Sequence, residues 1–316
     1  MTDRIIDISE TAATLHVRNA QLVIEPEGGA AAITTPLSEI AVLVISHPRV
    51  LMTQAVIAGV AELGGSVVIC DQKYLPVAMM LPVQAHGTQA ERFAKQALAS
   101  LPLRKRLWQQ IVRAKIRNQG RLLEELHGHD GGLLAMAERV RSGDAGQLES
   151  QASRRYWPLL FADAKFRRGS EGPDQNSHLN YGYAVLRAMV ARAVCAAGLH
   201  PSFGLKHHNR YDAFCLADDL MEPFRPLVDR AVYFWIQDHD PIQLLDKHAK
   251  ARLIGEIQRR YESGGEERSL FDLAGKAATS LARALLGESN AMEIPDVSYA
   301  AATAVRVSSH VADGNV

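Results

Sequence analysis

The hydrophobic pattern of this 316-residue chain changes near residue 86, and this change limits the folds that the chain can adopt. Before it, short β-branched segments and continuous apolar runs alternate with polar turns, which predicts strands, some of them buried on both faces. These segments are residues 5–8, 14–17, 22–24, 40–45 and 67–69. After it, apolar residues recur at helical spacing. The sequence therefore predicts an α+β protein, with a small β-rich N-terminal domain (residues 1–86) and a larger all-α domain (residues 87–290).

The punctuation between these segments refines the prediction. Pro82 and Gly87 mark the expected hinge between the two domains. Residues 291–316 lack a strong period and are expected to form a flexible tail. Within the first domain, a helical pattern over residues 51–63 ends at Gly64, and no G-x-G-x-x-G precedes it. A dinucleotide site of the Rossmann type is therefore not expected.

Charge is unevenly distributed, although the chain as a whole has a formal net charge of zero. Residues 1–86 contain four Lys and Arg against eight acidic residues, whereas residues 92–168 contain sixteen against seven. A basic block of this kind can bind a polyanion even in a neutral protein. The alternative is a solvated helical face, and the length of the block favours nucleic-acid binding.

Three widely spaced cysteines suggest neither a disulfide framework nor a zinc pair. The N-terminal residues do not have the composition of a secretory signal, and no run of about 18 apolar residues predicts a membrane span. A reducing cytoplasm is the expected location, without membrane association.

Residues 198–229 contain the densest group of chemically active side chains. Oxygen and imidazole ligands for a divalent metal are combined there with basic residues suited to phosphate. The potential ligands are His207, His208, Asp218, Asp219 and Glu222, and the basic residues are Lys206, Arg210 and Arg225. Metal, phosphate and carboxylates together are the chemistry of phosphodiester attack.

The spacing within this segment leaves several roles open. Asp218 or Asp219 could act as a helix N-cap, with no part in metal binding. Asp219 and Glu222 are three residues apart and would share a helical face, although Pro223 predicts a kinked or late-starting helix. Asp218 would point away from Asp219, so it is interpreted as a cap or an outer contact.

Three further segments give this chain a resemblance to a known family. They are LWQQIVRAKIRNQ at residues 107–119, LESQASRRYW at residues 148–157 and LNYGYAVLRA at residues 179–188. Together with residues 198–229, and in this order, they resemble the CRISPR-associated integrase and endonuclease family, the Cas-one proteins. The paired His207-His208 and Asp218-Asp219 are similar to the branch that accompanies a single large RNA-guided nuclease, the type II system.

The resemblance implies a catalytic all-α domain in which Glu149, His207 and Asp219 bind Mg²⁺ or Mn²⁺. His208, Asp218 and Glu222 would support these ligands, and His208 could itself be the ligand. The DNA phosphate contacts would come from Arg154, Arg155, Lys206, Arg210 and Arg225.

The resemblance also implies the reaction and the assembly. A DNA 3′-hydroxyl would attack a phosphodiester, so that short foreign duplexes are inserted into a CRISPR array by transesterification. Homodimers would form through the N-terminal domain and join a small ferredoxin-like partner, the Cas-two protein, in a hetero-hexamer. The large RNA-guided nuclease is a further expected partner. The alternatives are a non-catalytic DNA-binding scaffold of the same fold and a metabolic metal hydrolase.

Two expectations can be compared directly with a structure. The carboxylates of Glu149 and Asp219 should converge with an imidazole nitrogen of His207. Replacement of Asp219 by Ala should hardly change stability, because a surface metal ligand contributes little to the core.

Overall fold

A computed structural model describes residues 4–71, 76–82, 87–169, 175–239 and 245–297. The β-rich part contains β1 (Arg4–Ile8), β2 (Ala13–Arg18), β3 (Gln21–Pro26), β4 (Ile33–Pro36), β5 (Ile40–Ile45), β6 (Val50–Met52), α1 (Gln54–Glu62), β7 (Ser66–Cys70) and β8 (Pro76–Met80). The mostly helical part contains α2 (Gln89–Ala97), α3 (Leu101–His127), α4 (Leu133–Glu138), α5 (Leu148–Leu160), α6 (Gln175–Ala196), α7 (Cys215–Met221), α8 (Arg225–Asp238), α9 (Lys247–Ile257), β9 (Arg260–Ser263), β10 (Glu266–Ser269) and α10 (Leu270–Leu286).

The β-rich part is built from two four-stranded sheets. The first has the order β1-β5-β7-β8, with β1, β5 and β7 parallel and β8 antiparallel to β7. The second has the order β4-β3-β2-β6. All six residues of β5 are buried. A strand covered on both faces explains the continuous apolar run IAVLVI in the sequence.

The first sheet has apolar neighbours on both sides. Leu43 and Val67 belong to a cluster with the second sheet and α1. Val42, Val44 and Val68 belong instead to the large apolar cluster of the helices, and β5, β7 and β8 contact α6. The β-rich and helical parts therefore share one continuous core.

The predicted fold class is confirmed: a β-rich N-terminal region precedes a mostly helical one. The described strands of the N-terminal region end at Met80, and the next helix begins at Gln89. Since the two parts share a core, the division at residue 86 stays a prediction. Much of the expected flexible tail, residues 298–316, lies outside the described residues.

One segment of the helical part differs from the all-α prediction. The sequence pattern extends a helix to Tyr261, whereas α9 ends at Ile257 and an antiparallel hairpin of β9 and β10 follows. Gly264 and Gly265 form its turn, with φ angles of 63° and 79°. Two consecutive positive φ angles are the requirement of a tight hairpin turn, and glycine meets it without strain.

Helix α6 is central to the helical part. It packs against α7, α8, α9 and α10 as well as against the first sheet, and most of its 22 residues are buried. A helix that is apolar on all sides is expected to lie inside a domain. Among the described residues, no helix is both long and apolar enough to cross a membrane.

Close contact between α6 and α8 depends on Gly182. A Cβ atom at this position would lie 2.4 Å from Val228 Cγ1. Gly182→Ala should therefore lower the free energy of unfolding by roughly 1–3 kcal/mol, because the helices must move apart. Gly275→Ala is a matched control in α10, where an added Cβ has no neighbour within 4 Å. It should raise stability by about 0.5–1 kcal/mol through helix propensity. Chemical denaturation of both variants measures the difference, and equal effects would contradict the predicted close packing.

Candidate metal and nucleic-acid site

A cavity of about 1040 Å³ lies where α3, α5, α6, the loop before α7 and the start of α8 meet. Carboxylates, imidazoles and basic side chains share its wall. They are Glu149, Asp212, Asp218, Glu222 and Asp229; His207 and His208; and Lys115, Arg154, Arg167, Arg168 and Arg225. The chemistry of this wall suits a metal ion together with phosphate groups.

Asp219 lies beneath the loop that carries His207 and is fully buried. Its Oδ2 accepts hydrogen bonds from the backbone N–H groups of Leu205 at 2.6 Å and Lys206 at 2.9 Å. Its Oδ1 accepts from His207, at 2.5 Å from Nδ1 and 3.4 Å from the backbone N. Both carboxylate oxygens are thus occupied by protein donors. The expectation that Asp219 is a surface side chain is wrong.

Gly204 allows this loop to fold over Asp219. A Cβ atom at position 204 would lie 2.3 Å from the carbonyl oxygen of His207 and 3.0 Å from Asp219 Oδ2. A larger residue would push the loop away from the carboxylate, so the G-x-x-H pattern has a steric reason.

His207 is held in one orientation at the edge of the cavity. Its Nδ1 donates to Asp219, and its ring meets Trp108 edge-on with centroids 5.7 Å apart. The bond to Asp219 leaves Nε2 as the nitrogen that can bind a metal. The hydrogen bond to Asp219 raises the pKa of His207, while burial opposes the rise and the nearby Glu222 and Glu149 add to it.

Two carboxylates and one ammonium group form the most buried ionic contact of the cavity wall. Lys115 Nζ lies 2.7 Å from Glu149 Oε1 and 2.6 Å from Glu222 Oε2. Glu222 also pairs with Arg225, at 3.2 Å. Burial alone would lower the pKa of Lys115, but attraction to Glu222 and Glu149 outweighs it and the pKa is raised. The same cations hold the pKa of Glu222 below its usual value despite burial.

The donor set can be compared with the needs of a divalent ion. Within the described ranges, no three His, Cys, Asp or Glu side chains have the spacing of a preformed metal site. Glu222 Oε2 is nevertheless buried and lacks a well-aligned hydrogen-bond donor among these residues, and Lys115 is the cation beside it. Two carboxylates, one imidazole and an orphaned carboxylate oxygen at one cavity fit Mg²⁺ or Mn²⁺.

The other two predicted supporting residues have their own partners. Asp218 forms a two-pronged ion pair with Arg187, at 2.6 and 2.7 Å. Burial raises the pKa of Asp218 to about 6, although Arg187 opposes the rise. His208 lies 3.2 Å from Arg104, through its Nε2.

The predicted phosphate contacts are only partly brought together. Arg154 and Arg225 line the cavity, and Arg225 also lies over the ring of Tyr183. Lys206 and Arg210 are exposed on the loop before α7. Arg155 instead donates to the carbonyl oxygen of Gly131, at 3.1 Å.

Sequence reasoning missed Lys115 as a site residue. In α3 it follows Ile111 and Val112 at helical spacing and precedes Ile116, all of them fully buried. A lysine within the apolar stripe of a helix needs a buried anionic partner. That position on the helix was the signal that could have identified it.

Asp229 was also missed. It is buried in α8 and accepts hydrogen bonds from the hydroxyls of Tyr156, at 2.8 Å, and Tyr183. Its raised pKa, about 6, comes first from burial, which the two tyrosine hydroxyls partly offset. An acid inside the apolar stretch of α8 was the available signal.

Comparison with known proteins decides the family. The sequence profile of the family described as CRISPR associated protein Cas1 matches residues 6–243. The chain belongs to the Cas1 family. The resemblance that four sequence motifs indicated is thereby confirmed.

Relatives of this Cas1 family member span most of its length. It is 39% identical over 226 residues to the CRISPR-associated endonuclease Cas1 of Neisseria meningitidis serogroup C (strain 8013), covering 71% of this chain and 73% of that protein. A casposase bound to integration product has the same fold, with a TM-score of 0.75, 20% identity and coverage of 90% and 91%. A Cas1 protein from Thermotoga maritima gives a TM-score of 0.71, with 16% identity and coverage of 90% and 97%.

Removal of the Asp219 carboxylate should affect folding of this Cas1 chain. Asp219→Ala leaves buried N–H groups of the His207 loop without an acceptor, so the free energy of unfolding should fall by about 2–4 kcal/mol. The control is Asp212→Ala in the same loop, where the carboxylate accepts one backbone bond, from Phe214 at 2.8 Å. Its loss should cost about 1 kcal/mol. Urea denaturation measures both values, and a small effect of Asp219→Ala would restore the interpretation as a surface ligand.

Asp229 should make stability depend on pH. A raised acid pKa means that the folded state binds the proton more tightly, so stability falls as pH rises from about 4 to about 6. Asp229→Asn cannot ionise. Relative to the unmodified protein, its free energy of unfolding should therefore increase by about 3 kcal/mol over this range. Urea denaturation at a series of pH values, with the exposed Asp163→Asn as control, measures the change. A difference that is constant with pH would contradict it.

Proposed function

We propose that this chain is a metal-dependent DNA integrase that inserts short foreign DNA segments into a CRISPR array. Membership of the Cas1 family and relatives named endonucleases support an activity on DNA. The observation that carries the proposal is the cavity, in which Glu149, Glu222 and His207 share one wall with several arginines. The cations favour a polyanionic substrate over the small molecule of a metabolic hydrolase.

Glu149, Glu222 and Nε2 of His207 are the proposed metal ligands. This assignment exchanges the predicted roles of Asp219 and Glu222. Asp219 is fully buried and uses both oxygens for the loop of His207, whereas Glu222 lines the cavity and has an orphaned oxygen. Asp219 acts on the site by orienting His207, as carboxylate partners of metal-binding histidines generally do.

The proposed reaction is a transesterification of DNA. Bound Mg²⁺ or Mn²⁺ would supply Lewis-acid activation of the scissile phosphate and stabilisation of the leaving 3′-oxygen. A DNA 3′-hydroxyl is the nucleophile, so the chain need supply none of its own. Arg225 keeps Glu222 ionised and lies beside the same cavity, where it can also contact a phosphate oxygen.

Arg154, Arg167, Arg168 and Arg225 are the proposed contacts to the DNA backbone at the cavity. Lys206 and Arg210 lie on the exposed loop next to it and could extend this contact outward. Such contacts bind phosphates without recognising base sequence. The affinity for duplex DNA should therefore fall steeply with salt concentration.

The proposed assembly follows the relatives. Proteins with this fold have been solved as a Cas6-RT-Cas1–Cas2 complex, with a TM-score of 0.71, and as a Thermus-type title, the TtCas1-DNA complex, with a TM-score of 0.56. By analogy, this chain would bind double-stranded DNA and form homodimers through its β-rich region. The dimers would join the Cas2 protein in a hetero-hexamer, with the large RNA-guided nuclease as a further partner.

Conservative replacement of the proposed ligands tests the assignment. Glu222→Gln and Glu149→Gln should each lower Mn²⁺-dependent strand transfer by roughly 100-fold, because each removes a charged ligand. Mn²⁺ binding, measured by electron paramagnetic resonance, should weaken in parallel. Glu138→Gln is the control, since this exposed carboxylate pairs with Arg117. It should leave both measurements unchanged.

Two outcomes would contradict the proposal. Full activity and full Mn²⁺ binding in Glu222→Gln would return the third ligand position to Asp219 or Asp218. Tight DNA binding without strand transfer by the unmodified protein, in Mn²⁺ and with the partner protein present, would favour the non-catalytic scaffold.

A further inference from the structure

Lys115 occupies a position that neither the proposed metal ligands nor the phosphate contacts explain. Its side chain is only 7% exposed, and its ammonium group lies between Glu149 and Glu222. Lys115 extends from α3, whereas Glu149 lies in α5 and Glu222 follows α7. One cation thus links three separate elements at the wall of the cavity.

Charge balance explains why a cation is needed there. The Glu222 side chain is 5% exposed, and a buried carboxylate is strongly unfavourable unless it is paired. Arg225 is close to Oε1 of Glu222, and Lys115 to Oε2. Glu149 contacts the same ammonium through Oε1. Without a metal ion, Lys115 is the group that compensates the two facing carboxylates together.

The distances place an upper limit on the separation between this ammonium and a bound ion. An Mg²⁺ ion lies about 2.1 Å from a carboxylate ligand oxygen. Lys115 Nζ lies 2.6 Å from Glu222 Oε2. An ion bound to that oxygen would therefore be within about 5 Å of Nζ if the lysine did not move. Two cations so close in a partly desolvated site repel each other strongly.

We infer that Lys115 is an internal counter-cation that holds Glu149 and Glu222 in place before the metal binds and that the metal must displace. This inference rests on the proposed assignment of the two glutamates as metal ligands. Lys115 is a positioning residue in this scheme, since it acts through the glutamates. Its displacement opposes ion binding, so Lys115 also limits the metal affinity of the site.

The inference predicts opposite effects of one substitution on folding and on metal binding. Lys115→Met keeps the length of the side chain and removes the charge. Without metal the variant should be less stable than the unmodified protein, because two carboxylates lose their shared cation. Its Mn²⁺ dissociation constant should be roughly tenfold lower, because the competing cation is gone.

The experiment measures Mn²⁺ binding by electron paramagnetic resonance and thermal unfolding with and without Mn²⁺. Arg117→Met is the matched control: it removes a cation from the same helix, where Arg117 pairs with the exposed Glu138 at 2.8 Å. Tighter Mn²⁺ binding and a larger rise in melting temperature for Lys115→Met, but not for Arg117→Met, support the inference. Unchanged or weaker Mn²⁺ binding by folded Lys115→Met would overturn it, since a purely structural lysine cannot oppose metal binding.

A second measurement uses the unmodified protein and applies even if Lys115→Met does not fold. In a crystal soaked in Mn²⁺, Nζ of Lys115 should leave at least one of the two glutamates. An ion bound to both glutamates with Nζ still in contact with both would disprove displacement. Failure of the proposed function gives a different result, because Mn²⁺ would then bind equally to the unmodified protein and to Glu222→Gln.

Discussion

The carboxylate of Asp219 is the interaction on which the geometry of the site depends. It accepts hydrogen bonds from three consecutive backbone N–H groups and from the ring of His207. A loop with no regular structure is thereby held against α7, and the imidazole is fixed toward the cavity. Gly204 permits the close approach that this arrangement requires. The exposed metal ligand thus depends on a carboxylate that is itself inaccessible to the metal.

Alternating charge is the second constraint on the site. From Glu149 the sequence of contacts passes to Lys115, then to Glu222 and then to Arg225. Each anion is next to a cation, so the ionised forms persist in a setting where burial disfavours them. A nuclease site needs ionised carboxylates to attract a metal. The same cations that keep them ionised also offer positive charge to a phosphate.

The shared core connects these local features to the whole molecule. Helix α6 packs against the parallel sheet on one side and against α7 and α8 on another. Arg187 of α6 is paired with Asp218 at the site, while Arg192 of the same helix donates to the carbonyl oxygen of Gly64 in the β-rich part, at 2.6 Å. A rigid helix that contacts both regions gives a physical connection between the site and the region proposed to dimerise.

Periodicity in the sequence was sufficient to predict the order of strands and helices, because alternation and helical spacing are local properties. It failed at the hairpin of β9 and β10, where the Gly264-Gly265 turn signal was overlooked. Motif spacing likewise identified Glu149, His207 and the acidic pair of α7. Their division of labour was decided by tertiary structure, because Asp219 and Glu222 have equivalent positions in the linear pattern. Burial against the His207 loop separates Asp219 from the cavity, whereas Glu222 meets Lys115 from a helix more than a hundred residues earlier in the chain. Sequence determined which chemical groups were available, and long-range packing determined which of them face the cavity and which hold it in shape.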